Sequence, residues 1–153
     1  MLFNPLKSYR DAGLLIIRLG VGFGFIWFLG LPKFTTGETA LVATGSAMRH
    51  FGITGGYYWW GVAAALAESL GALFLALGLA FRPAMVAMVL EMTVATIEQF
   101  TRPMPVPAHS FNNAFVFAGL FLTGPGRYSL DYLLAKRFGP ARDTEEERTV
   151  VRR

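Results

Sequence analysis

The sequence lacks cysteine and has few charged residues, and each shortage excludes a class of protein. Because there is no cysteine, the chain has no disulfide, no thiol redox chemistry, and no zinc or iron–sulfur site with cysteine ligands. Only 16% of the 153 residues are charged, against about 25% in an average soluble domain. So few charges do not cover the surface of a soluble globule, and the high apolar content excludes extensive disorder.

Hydrophobic residues make up 54% of the chain and are concentrated in four runs. The four runs are residues 12–31, 58–81, 84–100 and 111–123. The last is short, and it reaches spanning length if its helix begins near Pro107. Because an α-helix needs about 20 mainly apolar residues to cross the hydrocarbon core of a bilayer, the sequence predicts an all-α fold, an integral membrane four-helix bundle. We assign residues 1–138 to this one domain and expect the charged tail, residues 139–153, to be disordered.

The connections between the runs predict which helices are neighbours. Only Arg82 and Pro83 separate the second and third runs, so these two helices should form an antiparallel hairpin, with Pro83 at a first helical position. The first connection is longer. We expect it to hold a short amphipathic helix at residues 39–51, at the interface on the outer side of the membrane or capping the bundle. Ten of the 14 Lys and Arg residues lie on the side of the termini and three on the other, which predicts cytoplasmic termini.

Four charged residues lie inside the predicted spans, and they are Arg18, Glu68, Glu91 and Glu98. A charge at mid-membrane costs roughly 2.5–3.5 kcal/mol unless it is paired, neutralised or close to an interface. One arginine does not compensate three carboxylates. We therefore expect at least one or two of the glutamates to be protonated or to face a water-filled cavity.

Depth along the helices groups these residues and their polar neighbours into two predicted clusters. The inner cluster comprises Arg18, Glu68 and Glu91. The outer cluster comprises Glu98, His109, Asn112 and Asn113. Two interpretations stay open: the clusters hold the helices together, or they form a pocket for a head group with carbonyl oxygens, such as a quinone. In the second case the arginine would donate to a carbonyl and a protonated glutamate would relay protons.

The remaining residues give little support to metal, nucleic-acid or transport functions. His50 and His109 are the two histidines of the chain, and two histidines at separate places do not predict a metal site. The net charge of +4 does not indicate a nucleic-acid partner, because the basic residues cluster outside the apolar runs, as membrane topology requires. A small-solute transporter is disfavoured, since four spans leave little room for alternating access.

Three stretches of the sequence follow one another in a characteristic order. The first has Arg-Leu-Gly at 18–20 and Gly-Leu-Pro-Lys-Phe at 30–34. The second has Glu68, Gly71, Leu-Gly-Leu at 77–79 and Arg82, and the third is Gly-Pro-Gly-Arg-Tyr-Ser-Leu-Asp at 124–131. In this order and spacing they resemble the DoxX family of small four-helix bacterial membrane proteins. The polar and turn positions that match are Arg18, Lys33, Glu68, Arg82, Gly124, Pro125, Gly126, Arg127 and Asp131.

The resemblance implies a function only in outline. Some relatives are membrane subunits of a thiosulfate:quinone oxidoreductase, and others partner soluble redox enzymes. It implies a multi-pass protein of the bacterial inner (plasma) membrane, in contact with lipid and with other protein subunits. Our leading hypothesis is a subunit of a quinone-linked oxidoreductase system that binds quinone or anchors a redox partner, with no covalently bound cofactor. The alternative is a non-catalytic accessory subunit of a larger membrane complex. Family membership assigns no catalytic residue.

Overall fold

The computed structural model describes residues 4–103 and 107–138. Over these ranges the chain is helical and has no β-strand, so the all-α prediction is confirmed. The tail predicted at 139–153 lies outside the described residues. The α-helices are α1 (Asn4–Gly24), α2 (Leu31–Thr35), α3 (Glu38–Gly45), α4 (Tyr57–Leu77), α5 (Phe81–Phe100), α6 (Ala108–Thr123) and α7 (Leu130–Phe138).

Two further helical segments complete the description of the first half of the chain. A π-helical segment, Phe25–Gly30, joins α1 to α2 without a break, and a 3-10 segment, Ser46–Phe51, follows α3. In the described part of the chain, the helices at Tyr9–Thr35 and Tyr57–Leu77 are long and apolar enough to cross a membrane. They contain the first predicted span and most of the second. The third and fourth predicted spans lie in α5 and α6, and their crossing of a membrane stays a prediction.

The long helices share one hydrophobic core. Helix α4 packs against α1, α3 and α5, and α5 packs against α6. Leu75, Phe81, Met85, Met88 and Phe117 are almost completely buried in this core. Since apolar residues at helical spacing supply this core, the four long runs of the sequence account for it.

The connection between α4 and α5 differs from the predicted one. Helix α4 ends at Leu77 because Gly78 adopts the left-handed conformation (φ 64°), which glycine tolerates and which terminates helices. Helix α5 begins at Phe81, so Arg82 and Pro83 lie in its first turn rather than between the helices. The prediction that these helices are neighbours is confirmed, and the predicted boundary is wrong by a few residues.

A helix is present in the long first connection, but it is not amphipathic. The apolar residues of α3 lie all around its axis, and the helix packs closely against α4. Glycines permit this approach, since a Cβ atom at Gly61 would overlap the carbonyl of Leu41, and one at Gly45 would overlap the carbonyl of Tyr57. The amphipathic prediction for residues 39–51 is therefore wrong over α3.

Candidate functional site

Three charged side chains from different helices meet in the middle of the molecule. Lys33 lies in α2, Glu68 in α4 and Glu91 in α5. The Nζ atom of Lys33 is 2.6 Å from Oε2 of Glu68 and 3.9 Å from Oε1 of Glu91. The exposed fraction of the side chain is 21% for Lys33, 5% for Glu68 and 10% for Glu91. We refer to these residues as the Lys33–Glu68–Glu91 cluster.

The π-helical segment and Gly30 bring Lys33 to this position. The first helix continues to Thr35 instead of ending near residue 31, and Lys33 is therefore carried on its last turn. A Cβ atom at Gly30 would overlap the hydroxyl of Ser69, so glycine allows this helix to pass directly beside α4. Segments of π-helix are frequent at functional sites because the wider turn redirects the side chains that follow.

Three buried polar atoms at the cluster have no hydrogen-bond partner among the described residues. One is Oε2 of Glu68, which is ion-paired with Lys33, and the other two are Oε2 of Glu91 and Oγ of Ser69. A buried acceptor or donor left without a partner costs about 1–3 kcal/mol, and such atoms in native proteins usually meet water, a proton or a ligand. The cluster therefore has capacity for one more hydrogen-bonding group.

A cavity of about 500 Å³ opens beside the cluster. This volume falls within the range of small-molecule sites, about 300–1,000 Å³. Most of its wall is apolar, with Leu29, Trp60 and Leu90 among the lining residues. The polar residues in its wall are Lys33, Thr44, Glu68, Glu91, Glu98, Gln99, Arg102, His109 and Ser110. A mainly apolar wall with polar groups that converge on the cavity is typical of a small-molecule site.

The far end of the cavity differs from the predicted outer cluster. Glu98 contacts the 3-10 segment, where Oε2 is 2.7 Å from Nε2 of His50 and Oε1 is 3.2 Å from Nη2 of Arg49. His109 lines the same cavity as Glu98, and its ring stacks on Phe25. The 3-10 segment folds back over the end of α5, a contact between distant parts of the chain that residue spacing does not reveal.

The two asparagines of that predicted cluster lie elsewhere. Asn112 is exposed, and the side chain of Asn113 donates to the backbone carbonyl of His109. Neither lines the cavity. Their assignment to one cluster with Glu98 is therefore wrong, because neither side chain reaches the cavity or contacts Glu98.

Arg18 is not part of the Lys33–Glu68–Glu91 cluster, and its predicted place there is wrong. It is 1% exposed and donates four hydrogen bonds to backbone carbonyls. The acceptors are Leu75 at 2.9 Å, Ala76 at 2.9 Å, Pro125 at 2.7 Å and Tyr128 at 2.9 Å. The last carbonyls of a helix lack intrahelical partners and carry partial negative charge. The end of α4 therefore attracts the guanidinium.

The Gly-Pro-Gly-Arg-Tyr-Ser-Leu-Asp stretch supplies the other two carbonyls that accept from Arg18. We call residues 124–131 the C-terminal junction. Asp131 accepts hydrogen bonds from the backbone N–H groups of Ala80 and Phe81, each at 2.9 Å, and so caps α5. Asp11 in α1 accepts one from the N–H of Arg127 at 3.3 Å. Gly124 and Gly126 have φ of 75° and 76°, which only glycine adopts readily. This junction fixes the ends of three helices to one another.

The remaining basic residues at this end lie at the surface. Arg82 and Arg127 are exposed, and the guanidinium of Arg82 stands 5.9 Å from the centre of the Phe121 ring. The family-matched positions therefore separate by location. Lys33 and Glu68 belong to the cavity, whereas Arg18, Arg82 and the residues of the C-terminal junction belong to the opposite end.

The comparison with protein families agrees with the motifs. The sequence model of the DoxX family matches residues 13–102, which include the whole Lys33–Glu68–Glu91 cluster. Neither a curated protein nor a solved structure matches the chain. The family match and the two apolar helices together indicate a membrane protein. Since the match covers more than half of its length, the chain belongs to the DoxX family.

Proposed function

We propose that the chain is a small inner-membrane subunit of a quinone-linked oxidoreductase system, and that it binds the quinone head group in the cavity beside the Lys33–Glu68–Glu91 cluster. The observation that supports this most directly is the buried Oε2 atom of Glu91, which lacks a partner at the wall of a mainly apolar cavity. A protonated Glu91 would donate to a quinone carbonyl oxygen, and the apolar wall of the cavity would contact the quinone ring.

Lys33 and Glu91 would contact such a head group in different ways. The Lys33 ammonium carries three donors, of which Glu68 occupies at least one. Another donor is available for a quinone carbonyl oxygen. Glu91, when protonated, donates from its carboxyl group, and when ionised it accepts a proton from a quinol hydroxyl. Reduction of a quinone takes up two electrons and two protons, and the electrons come from the partner oxidoreductase.

The arrangement in the membrane is part of the proposal. All four long helices, α1 extended by α2, α4, α5 and α6, cross the bilayer, and both termini face the cytoplasm. The supporting observation is that ten of the 14 basic residues lie on the side of the termini. Glu68 and Glu91, which lie about halfway along α4 and α5, are then near the middle of the membrane, at a depth that a lipid-soluble quinone reaches, and Lys33 contacts them from the last turn of the first helix.

Quinone binding to the purified protein tests the proposal. We would reconstitute the full chain in lipid nanodiscs and titrate decylubiquinone and a short-chain menaquinone, following thermal stability and bound quinone. Saturable binding should raise the Tm. Lys33→Met removes one charge-assisted hydrogen bond worth about 1.5–3 kcal/mol, so we expect affinity to fall roughly 10- to 100-fold. Glu91→Gln tests the second contact in the same way.

A matched carboxylate outside the cavity provides the control. Glu38 lies in the first turn of α3, is exposed and does not line the cavity. Glu38→Gln should therefore leave quinone affinity unchanged. If wild-type protein shows no saturable binding of either quinone, the proposed site is wrong. Isolation from native membranes as part of a large assembly, with no quinone of its own, would instead favour the accessory subunit.

A further inference from the structure

Helix α7 carries apolar side chains that no other part of the described chain covers. None of its residues is buried, and Leu133, Leu134 and Phe138 are 56%, 45% and 74% exposed. Leu130, at the start of the helix, is also exposed. Apolar surface of this kind on a short helix marks a contact with another molecule or with a membrane.

These apolar residues share one side of the helix. Leu130, Leu133, Leu134 and Phe138 are spaced by three and four residues, which places them in one stripe. Ala135 and Lys136 lie on the other side. Arg137 falls within the stripe at the last turn, where its long apolar stem lets the charged group reach outward from an apolar surface.

The attachment of α7 places it at the ends of the long helices. The N–H of Asp131 donates to the carbonyl of Gly78 at 2.9 Å, and the carboxylate of Asp131 caps α5. Helix α7 therefore starts at the level of the turn that follows α4, one of the helices long enough to cross a membrane. The exposed Arg10, Arg82 and Arg127 lie at this same end.

We propose that α7 lies along the membrane surface and binds anionic lipid. Its apolar stripe enters the upper acyl region, and Lys136 and Arg137 reach the phosphate groups. Charge favours lipid as the occupant, because the exposed groups around the start of α7 are mainly basic and anionic head groups attract them. An amphipathic helix with basic residues is the form of peptide that binds such a surface. This inference does not rest on quinone binding.

Site-directed spin labelling tests the inference directly, because the chain has no native cysteine. We would make Leu133→Cys, Leu134→Cys, Ala135→Cys and Lys136→Cys singly in the full chain and label each with a nitroxide. All four positions are exposed, so the labels should leave the fold unchanged, which thermal unfolding checks. Collision rates with oxygen report lipid, and those with a nickel chelate report water.

In nanodiscs that contain phosphatidylglycerol, oxygen collisions should dominate at 133 and 134, and nickel collisions at 135 and 136. In nanodiscs of phosphatidylcholine alone, the difference in collision rates between positions 133 and 134 and positions 135 and 136 should be smaller. Nickel collisions that dominate at all four positions in both lipids would overturn the inference. The inference would also be overturned if the labels at 133 and 134 were shielded from the nickel chelate only when a soluble protein is added, because that protein would then cover the apolar stripe.

Discussion

Replacing Arg18 by methionine separates a structural from a ligand-binding role for this residue. The guanidinium is 1% exposed and donates to four backbone carbonyls, two at the end of α4 and two in the C-terminal junction. Methionine fills a similar length without any donor. We expect Arg18→Met to destabilise the protein strongly while leaving the residues that line the cavity in place.

The expected loss of unfolding free energy in Arg18→Met follows from the number of carbonyls that lose their hydrogen-bond donor. Leu75 keeps a hydrogen bond from the N–H of Gly78 at 3.2 Å, so its carbonyl is not left alone. The carbonyls of Ala76, Pro125 and Tyr128 lose the donor identified for them. Each unsatisfied acceptor costs about 1–3 kcal/mol. Water that reaches these carbonyls, and the removal of a buried charge, offset part of this cost. We therefore expect the free energy of unfolding to fall by about 3–5 kcal/mol.

Unfolding in mixed detergent micelles measures this loss. We would titrate SDS into the folded protein and follow tryptophan fluorescence and helicity. The control is Arg82→Met at the same end of the molecule, where the arginine is exposed and stands over the Phe121 ring. That interaction is worth at most about 1 kcal/mol. Arg18→Lys should fall between the two, because a lysine has fewer donors and a shorter reach.

Equal stability of Arg18→Met and Arg82→Met would refute the account of Arg18 as a structural residue. If Arg18→Met also lost quinone binding while its stability remained intact, the prediction that placed Arg18 in the pocket would be restored. The two measurements are independent. A destabilised variant that still binds quinone when folded supports the carbonyl contacts and the cavity together.

Substitutions at three further contacts, each with its own control or probe, test other parts of the structure. Asp131→Ala removes the cap of α5 and should cost about 1–2 kcal/mol in the same unfolding assay, with Asp131→Asn closer to wild type. Gly61→Ala places a methyl group against α3 and should lower the free energy of unfolding by about 1–3 kcal/mol. At Gly13 a methyl group would face open space, so Gly13→Ala should raise the free energy of unfolding by about 0.5–1 kcal/mol. Glu98→Gln weakens the contact of α5 with the 3-10 segment. A thiol reagent should then react faster with Ala95→Cys, because Ala95 lines the cavity that this segment helps to enclose.

The helices could be predicted from the sequence, but their ends could not. Runs of apolar residues too long for a β-strand indicate the long helices. The extension of the first helix through the π-helical segment to Thr35, and the stop at Gly78, depend on local backbone geometry. The sequence does not predict α7, because this helix has only nine residues and mixes apolar with charged side chains.

The carboxylates of the site could also be predicted, but not the cation that meets them. The sequence predicts that Glu68 and Glu91 lie together, and both line the cavity. It also predicts that Arg18 joins them, because opposite charges attract and Arg18 lies inside a span. Its actual acceptors are backbone carbonyls, which every residue carries and which no sequence pattern distinguishes. Lys33 was visible in the Gly-Leu-Pro-Lys-Phe motif, and its role there needed the position of the helix end.

Most of the charged side chains inside the predicted spans have protein partners, and the exception lies at the cavity. Arg18 is satisfied by carbonyls, Glu98 is held by Arg49 and His50, and Glu68 is paired with Lys33. Those contacts explain why the charges are tolerated within the described part of the chain. They do not explain Oε2 of Glu91, which stays buried without a partner although a shorter or apolar residue would avoid its cost. Oε1 of Glu91 lies 3.9 Å from Nζ of Lys33, so it is the Oε2 atom at the cavity wall that supports the proposal that the cavity binds a ligand.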